Sequence, residues 1–296
     1  MKPQFFADRA QVPHPGEVAP WLQRAATTLI APVVGVLYRP AFTHPERLPR
    51  DQPFLLIANH SGGMALAEGF CFLSCYLRTF GPDRPLSALA HPFSFFFPVL
   101  RQLIAALGVA PSSYAHAYDI LGRGIPLLIF PGGDWEVSRP FWLANRVDFN
   151  GRKGFLRIAR EANVPIVPMG IRGSHNTAPI LWRSDFVLPW LLVVPKLFGL
   201  KRFPLSLLGL IGAVGILVAA WPSLGWWSVP LVYLWFYSLL PFAPIVPCTI
   251  RFHLGTPIPP EELFEPDDED LDRAYERVVS RVQALVLGQE ASSGDV

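Results

Sequence analysis

The sequence predicts an α/β layer fold that carries an added hydrophobic helical hairpin. Short β-prone runs alternate with helical stretches up to about residue 180, a pattern typical of helices packed on a sheet. After that, the 48 residues between Arg202 and Arg251 contain no Asp, Glu, Lys, Arg or His. The charge content of the whole chain would place roughly eight charged residues in a segment of that length. This segment is therefore expected to face something other than water.

The composition favours a membrane-associated protein in a reducing compartment. Of the 296 residues, 51% are hydrophobic and only 16% are charged. The mean hydropathy is +0.32. The formal net charge of +2 does not fit a nucleic-acid binder, so nucleic acid is not an expected partner. The three cysteines, Cys71, Cys75 and Cys248, offer neither a disulfide framework nor a zinc clip, which favours a cytoplasmic setting.

The amino-terminal region is expected to hold an interfacial helix. Charge and proline interrupt the first residues, so no cleavable secretory signal is predicted. Residues 21–38 are apolar except for Arg24, but they are broken by Pro32 and too short for a spanning helix. Three parts are predicted: an N-terminal interfacial helix in 1–45, an α/β domain in 46–200 and 248–296, and a membrane hairpin in 201–247.

The α/β part is read from apolar runs and their periods. Strands are predicted at 54–59, 84–91, 125–130, 164–172 and 248–258, with 108–113 as a strand or loop. Helices are predicted at 64–77, 95–108, 117–124, 154–163 and 259–288. In the last of these, Val278, Val279, Val282 and Leu285 recur at helical spacing and are expected to pack rather than to do chemistry. The acidic run at 265–272 is expected to be solvated.

The uncharged segment is interpreted as a membrane-embedded hairpin. Two apolar stretches, 205–220 and 224–240, flank the turn-forming sequence WPSLGWW. Each stretch is slightly shorter than the roughly 20 residues that a perpendicular span needs, so the hairpin is either shallow or fully spanning. Lys196, Lys201 and Arg202 precede it and Arg251 follows it, which predicts that both ends lie on the cytoplasmic side. The alternative is a buried hydrophobic subdomain of a soluble protein.

Two strand ends carry residues that could do chemistry. His60 in Asn59-His60-Ser61-Gly62-Gly63 follows a strand and can act as a general base, although a lone histidine is more often structural. The run FPGGDWE at 130–136 also follows a strand. Its glycines free main-chain N–H groups that could cradle an anion or a carbonyl oxygen, and the alternative is a tight turn with solvated acids.

Together these residues resemble the glycerolipid acyltransferase family over roughly residues 50 to 260. Asn59-His60 is similar to the first motif of that family, FPGG at 130–133 to the third, where many members read F-P-E-G, and VPIVP at 164–168 to the fourth. The resemblance implies a mixed β-sheet flanked by helices. It also implies transfer of a fatty acyl group from acyl-CoA or acyl carrier protein to a lipid hydroxyl, with neither a metal nor a cofactor.

The resemblance is imperfect around the histidine. Most members carry an aspartate five residues after it, where this chain has Ala65, and Gly132 stands where many members have a glutamate. Glu68 is the first choice for the carboxylate that orients the His60 ring, and Asp134 or Glu136 are the next. A nucleophilic Ser61 is a competing idea, but neighbouring side chains on a strand point to opposite faces.

The remaining site predictions concern substrate binding. The oxyanion is assigned to main-chain amides around Gly62 and Gly63 or Gly132 and Gly133. The family's second motif supplies an arginine in many members, but residues 108–113 contain none, so cations after the FPGG turn are proposed instead. The full set of predicted substrate contacts is Asn59, Ser61, Gly62, Gly63, Phe130, Pro131, Gly132, Gly133, Arg139, Arg146, Arg152 and Lys153. His175 is expected to be structural.

These observations favour a membrane-bound O-acyltransferase at the cytoplasmic face. Its partners would be an acyl thioester donor, a lipid acceptor and the bilayer. The acceptor stays open between a lysophospholipid, another glycerolipid and diacylglycerol, because the missing arginine weakens the case for a phosphate monoester. A lipid-binding protein of the same fold and an acyl-ester hydrolase are the alternatives. Contact between Glu68 and His60 would favour the enzyme over the binding protein.

Overall fold

A seven-stranded β-sheet forms the centre of the molecule. The computed structural model describes residues 15–62, 67–95, 98–192, 202–238, 240–244, 247–264 and 271–289. The strands are β1 Ala41–Thr43, β2 Leu55–Ala58, β3 Ser87–Ala90, β4 Ala110–Pro111, β5 Leu127–Ile129, β6 Ile166–Arg172, β7 Ile180–Ser184, β8 Phe203–Ser206 and β9 Arg251–Leu254. The order in the large sheet is β1-β9-β6-β2-β5-β3-β4, while β7 and β8 form a separate antiparallel pair.

The large sheet is mixed, as the resemblance implied. β9 pairs antiparallel with β6 and parallel with β1, and every other neighbouring pair is parallel. β1 and β9 therefore run opposite to the other five strands. The predicted strands at 54–59, 84–91, 125–130, 164–172 and 248–258 are confirmed in β2, β3, β5, β6 and β9.

Twelve α-helices surround the sheets in the described part of the chain. They are α1 Pro20–Ala25, α2 Ala31–Tyr38, α3 Ala67–Phe80, α4 Pro98–Ala106, α5 Tyr114–Gly122, α6 Asp134–Val137, α7 Gly154–Ala162, α8 Val187–Leu191, α9 Leu207–Leu224, α10 Ser228–Tyr237, α11 Pro260–Leu263 and α12 Asp272–Leu287. A π-helical segment, Ala26–Ile30, joins α1 to α2. Residues 265–270 of the acidic run lie outside the described residues.

The central strand β2 is buried on both faces. Leu55 and Ile57 contribute to one apolar core with residues of α5, α7 and α12. Leu56 and Ala58 point the other way and join a second core with residues of α2 and α3. This burial explains why the strand is a continuous apolar run and ends at the first polar residue, Asn59. It also carries His60, two residues after the strand, to the edge of the sheet.

The amino-terminal helical segment packs one side against the protein and leaves apolar side chains exposed on another. Val34 and Tyr38 of α2 are buried in the second core. Leu29 and Val36 are both 69% exposed, although both side chains are apolar. This exposed apolar side fits an interfacial helix, and membrane contact here stays a prediction.

The uncharged segment folds as a helical hairpin formed by α9 and α10. The indole Nε1 of Trp235 donates a hydrogen bond to the carbonyl oxygen of Gly209 at 3.0 Å, so the two arms lie side by side. The turn is the short 3₁₀ segment Gly225–Trp227. It begins later than the sequence predicted because α9 continues through Pro222, and the strand β8 before the hairpin was not predicted.

The hairpin exposes most of its apolar surface. Residues 207–237 are long and apolar enough to cross a membrane, and an 18-residue stretch within them has a mean hydropathy of 2.1, yet only 11% of that stretch is buried. A buried hydrophobic subdomain would show the opposite, so this burial does not fit the soluble alternative. Trp226 and Trp227 at the turn are each 79% exposed. Lys196 and Lys201, two of the charges from which a cytoplasmic orientation of the hairpin is predicted, lie outside the described residues.

Candidate active site

The side chains of His60 and Glu68 meet between the end of β2 and the start of α3. His60 Nδ1 is hydrogen bonded to Glu68 Oε2, and Glu68 Oε1 accepts a hydrogen bond from the main-chain N–H of Ser61 at 3.1 Å. The Glu68 side chain is 3% exposed and that of His60 is 25% exposed. A carboxylate can only accept here, so Nδ1 carries a proton, and in the neutral form of the ring Nε2 keeps a lone pair that can accept one.

The electrostatics around His60 favour its protonated form. Burial is the largest influence and opposes protonation of the ring, but the charge and hydrogen bond of Glu68 together with the charge of Glu136 outweigh it, so the pKa of His60 lies above its ordinary value. A base with a raised pKa holds a proton more strongly, which suits removal of a proton from an alcohol. The ring also lies against that of Phe130, with 4.7 Å between the ring centres.

Glu136 holds the main chain on which His60 is carried. Its Oε2 accepts the N–H of His60 at 3.1 Å, and its Oε1 accepts Arg139 Nη1 at 3.2 Å and the N–H of Asp148 at 3.1 Å. Arg139 Nη2 in turn donates to the carbonyl oxygen of His60 at 3.3 Å. Burial raises the pKa of Glu136 to about 7, although Arg139 and the two main-chain donors favour the ionised carboxylate.

Glycines are required at two points of this site. Gly62 has a φ of +84°, and a Cβ added to it would lie 2.6 Å from the carbonyl oxygen of Ser174. A Cβ added to Gly132 would lie 2.2 Å from Glu136 Cγ. The N–H of Gly133 donates to the carbonyl oxygen of Phe130 at 3.1 Å, so it is already engaged within the turn. Gly63 and Ala65 lie outside the described residues.

Asp134, at the start of α6, lies between two arginines instead of contacting His60. Arg152 Nη2 donates to its Oδ1 at 2.6 Å, and Arg202 Nη1 donates to its Oδ2 at 3.1 Å. Burial opposes ionisation, but the hydrogen bonds and charges of both arginines outweigh it and keep the pKa of Asp134 below its ordinary value. Of the three acids considered for the His60 ring, Glu68 contacts it, while Glu136 and Asp134 contact other groups.

Several predicted substrate contacts face other parts of the protein. Asn59 is 1% exposed, and its amide bonds the main-chain N–H and carbonyl of Ile171, so it fastens β2 to β6. Lys153 forms an ion pair with Asp272, and Arg146 is exposed outside the lining of the site cavity. The hydroxyl of Ser61 contacts the hydroxyl of Ser174 and the carboxylate of Glu68 rather than the His60 ring. This geometry disfavours a serine nucleophile.

His60 opens onto a cavity of about 1230 Å³. Glu68, Phe130, Pro131, Gly133, Asp134 and Arg152 also line it. Most of the remaining lining is apolar and comes from α3, from β3 and the residue before it, and from the end of α4 and the residue after it, including Phe72, Leu73, Leu86, Ile104 and Leu107. A cavity of this size and character suits a fatty acyl chain.

Sequence reasoning missed the contributions of Arg202, His91 and Arg183 to this region. Arg202 was interpreted only as a charge flanking the hairpin, but it binds Asp134. His91 lines the cavity, and no sequence pattern marked it. Trp135 lies under Arg183, with 3.4 Å between the guanidinium carbon and the ring centre. His175 packs its ring edge-on against Phe141, which fits the structural role expected for it.

The comparisons with known proteins agree with this geometry. Residues 39–172 match the family model described as Acyltransferase. The chain is similar to an uncharacterised protein of Mycobacterium tuberculosis, at 31% identity over 58% of this chain and 46% of that protein. It is also similar to diacylglycerol O-acyltransferase 1 of Saccharomyces cerevisiae, at 26% identity over 43% of this chain and 31% of that protein. These matches span less than half the length of both relatives.

A solved structure shares the fold. The crystal structure of the 1-acyl-sn-glycerophosphate acyltransferase PlsC from Thermotoga maritima superposes with a TM-score of 0.50 at 15% identity, covering 93% of this chain and 82% of that one. The mixed sheet with helices on both faces is thus an acyltransferase-type fold. Residues 39–172, somewhat less than half of the chain, are thus similar to the Acyltransferase family model, and the chain shares its fold with a solved acyltransferase.

Proposed function

We propose that this protein transfers a fatty acyl group from an acyl thioester, acyl-CoA or acyl carrier protein, to the hydroxyl of a lysophospholipid or another glycerolipid. One observation carries the proposal: His60, held by a buried Glu68, opens onto a large and mainly apolar cavity. A base of this kind needs an acceptor hydroxyl within reach, and the cavity offers room for lipid chains beside it.

The reaction would proceed by direct transfer. His60 Nε2 takes the proton of the acceptor hydroxyl while that oxygen attacks the thioester carbonyl carbon. The C–S bond then breaks, the new ester is released, and the thiolate takes the proton back from the imidazolium. Glu68 holds Nδ1–H and stabilises the cation that forms between the two steps. The N–H groups of Gly62 and Gly132 are the candidates for stabilising the oxyanion.

Membrane association is part of the proposal. The exposed apolar surface of the hairpin would be solvated by lipid, and both substrates carry acyl chains that then need not cross water. The α10 arm has 10 residues and would extend only about 15 Å at 1.5 Å per residue. The roughly 30 Å hydrocarbon core is twice that depth, so a shallow hairpin whose turn stays within the bilayer fits better than one that spans the bilayer twice.

Thioester-dependent acylation by the purified protein tests the proposed function. Radiolabelled acyl-CoA is offered with a panel of lysophospholipids and diacylglycerol, and the products are separated by thin-layer chromatography. We expect at least one acceptor to be acylated by the wild type and the rate to fall by about 10²-fold or more in His60→Ala. The matched control is His44→Ala, which breaks an exposed histidine–glutamate pair elsewhere and should leave the rate unchanged. Unchanged turnover in His60→Ala would refute the proposal.

A further inference from the structure

Asp134 and Arg152 line the cavity, and the carboxylate of Asp134 occupies an anion-binding arrangement that Arg152 forms with Arg202, which is not a lining residue. Each carboxylate oxygen accepts from a different guanidinium, at 2.6 Å from Arg152 and 3.1 Å from Arg202. The Asp134 side chain is 18% exposed and that of Arg202 is 16% exposed. This half-buried site has the donor set that would suit a phosphate group if the carboxylate were absent.

Both arginines are fixed by further contacts. Arg152 Nη1 donates to the carbonyl oxygens of Gly132 at 2.9 Å and Pro131 at 3.3 Å. Arg202 Nε pairs with Asp185 at 2.9 Å, and its guanidinium lies 4.7 Å from the centre of the Trp135 ring. Because their positions are set by several partners, the two guanidinium groups cannot simply follow a ligand away from Asp134.

The other charged residues that line the cavity provide little positive charge to balance a bound phosphate. Of the described lining residues, Arg84 and Arg152 are the permanent cations, and Glu68 and Asp134 are the acids. Arg84 donates to the carbonyl oxygen of Leu48 and lies over the ring of Phe80. A phosphate placed beside Asp134 would be repelled by its carboxylate, whose charge already engages both guanidinium groups.

We infer that the acyl acceptor is an uncharged lipid alcohol of the diacylglycerol type. Asp134 sets this specificity by occupying the position between Arg152 and Arg202 that a phosphate monoester would need. The inference rests on the proposed function, because it assigns the acceptor of that reaction. An uncharged glycerol backbone brings its hydroxyl to His60 without displacing Asp134 from its two arginines. A phosphate monoester next to its acceptor hydroxyl would meet the carboxylate within the same cavity.

The test compares two acceptors in two variants. Acylation of diacylglycerol and of lysophosphatidate is measured for wild type, Asp134→Asn and Asp185→Asn. Asp185 is the matched control, since it also pairs with Arg202 but is 60% exposed and outside the cavity lining. We expect the wild type to prefer diacylglycerol at least tenfold, Asp134→Asn to shift the ratio at least tenfold towards lysophosphatidate, and Asp185→Asn to leave it within twofold.

A binding measurement makes the outcome independent of turnover. Inorganic phosphate at millimolar concentration should raise the melting temperature of Asp134→Asn but not that of wild type or Asp185→Asn. Wild-type preference for lysophosphatidate overturns the inference even if Asp134→Asn does not fold. An unchanged acceptor ratio together with no phosphate effect in Asp134→Asn also overturns it. Loss of activity in His60→Ala alongside either result would leave the proposed acyl transfer standing.

Discussion

The carboxylate of Glu136 lies over the α-carbon of Gly132. A Cβ at position 132 would be 2.2 Å from Glu136 Cγ and 2.4 Å from its Oε2, so the two residues use the same volume. Many members of the family that this chain resembles have a glutamate at the position of Gly132. Here a buried acid reaches that volume from four residues later, and it holds the main chain of His60.

A double-mutant cycle at Gly132 and Glu136 should show strong coupling. Gly132→Ala alone should lower the free energy of unfolding by about 1–3 kcal/mol, because the added methyl displaces a buried carboxylate. In a Glu136→Ala background the same change should cost little, since the volume is then empty. Urea unfolding of the four proteins measures the cycle, and additive effects would contradict the shared volume.

Glu68→Gln should change the pH dependence of acyl transfer. The base form of His60 is neutral, so wild-type activity falls as the pH drops through the raised pKa of that ring. Removing the charge of Glu68 lowers this pKa, and the acidic limb should move to lower pH while the maximal rate falls by about 10²-fold. Rates measured between pH 5 and 9 would show the shift. Glu46→Gln at the exposed His44 pair is the control, and a limb that stays in place would contradict the assignment.

Two glycines of α9 should respond oppositely to the same substitution. A Cβ at Gly212 would lie 2.3 Å from ring atoms of Trp235, whereas a Cβ at Gly215 would meet nothing within 4 Å. Gly212→Ala should therefore separate the arms of the hairpin and lower the melting temperature in detergent. Gly215→Ala should be neutral or stabilising by up to about 1 kcal/mol, because alanine favours helix. Equal effects at both positions would mean that the arms do not pack as described.

Removal of residues 207–237 should release the protein from membranes. Ser206 Oγ donates to the carbonyl oxygen of Pro241, so the two ends of the hairpin already meet and a short Gly-Ser linker can join them. We expect the shortened protein in the supernatant after an alkaline carbonate wash and the full chain in the pellet. A second variant that shortens α1 and α2 tests the amino-terminal helix. Retention of the hairpin deletion in the pellet would assign membrane binding to another surface.

Sequence reasoning was most informative where the chemistry is local. The apolar run of β2 predicted the edge at which His60 lies, and Glu68 was the first choice for the ring because it is the nearest acid after His60 in the sequence. Long-range pairings left no such signal. Arg202 is 68 residues from Asp134 in the sequence, and their contact depends on how β8 lies beside β7.

The environments of the three arginines after the FPGG turn also depend on long-range contacts that the sequence does not mark. Arg139, Arg146 and Arg152 all follow the FPGG turn, but one is buried against Glu136, one is exposed, and one binds Asp134 at the cavity. Spacing alone cannot distinguish these three environments. The segment between α6 and α7 has no regular hydrophobic period from which the direction of a side chain could be predicted. The roles assigned to these residues in substrate binding stay predictions.

Because β6 and β9 pair directly, the chain between them leaves the sheet at the end of β6 and returns to it at the start of β9. Arg172 lies opposite Arg251 in the antiparallel register, so the chain leaves and returns at neighbouring points. A hairpin inserted at such a place can change in length while the strands of the sheet keep their partners. If the hairpin enters the bilayer as proposed, membranes of different thickness would then require no change in the core around the sheet.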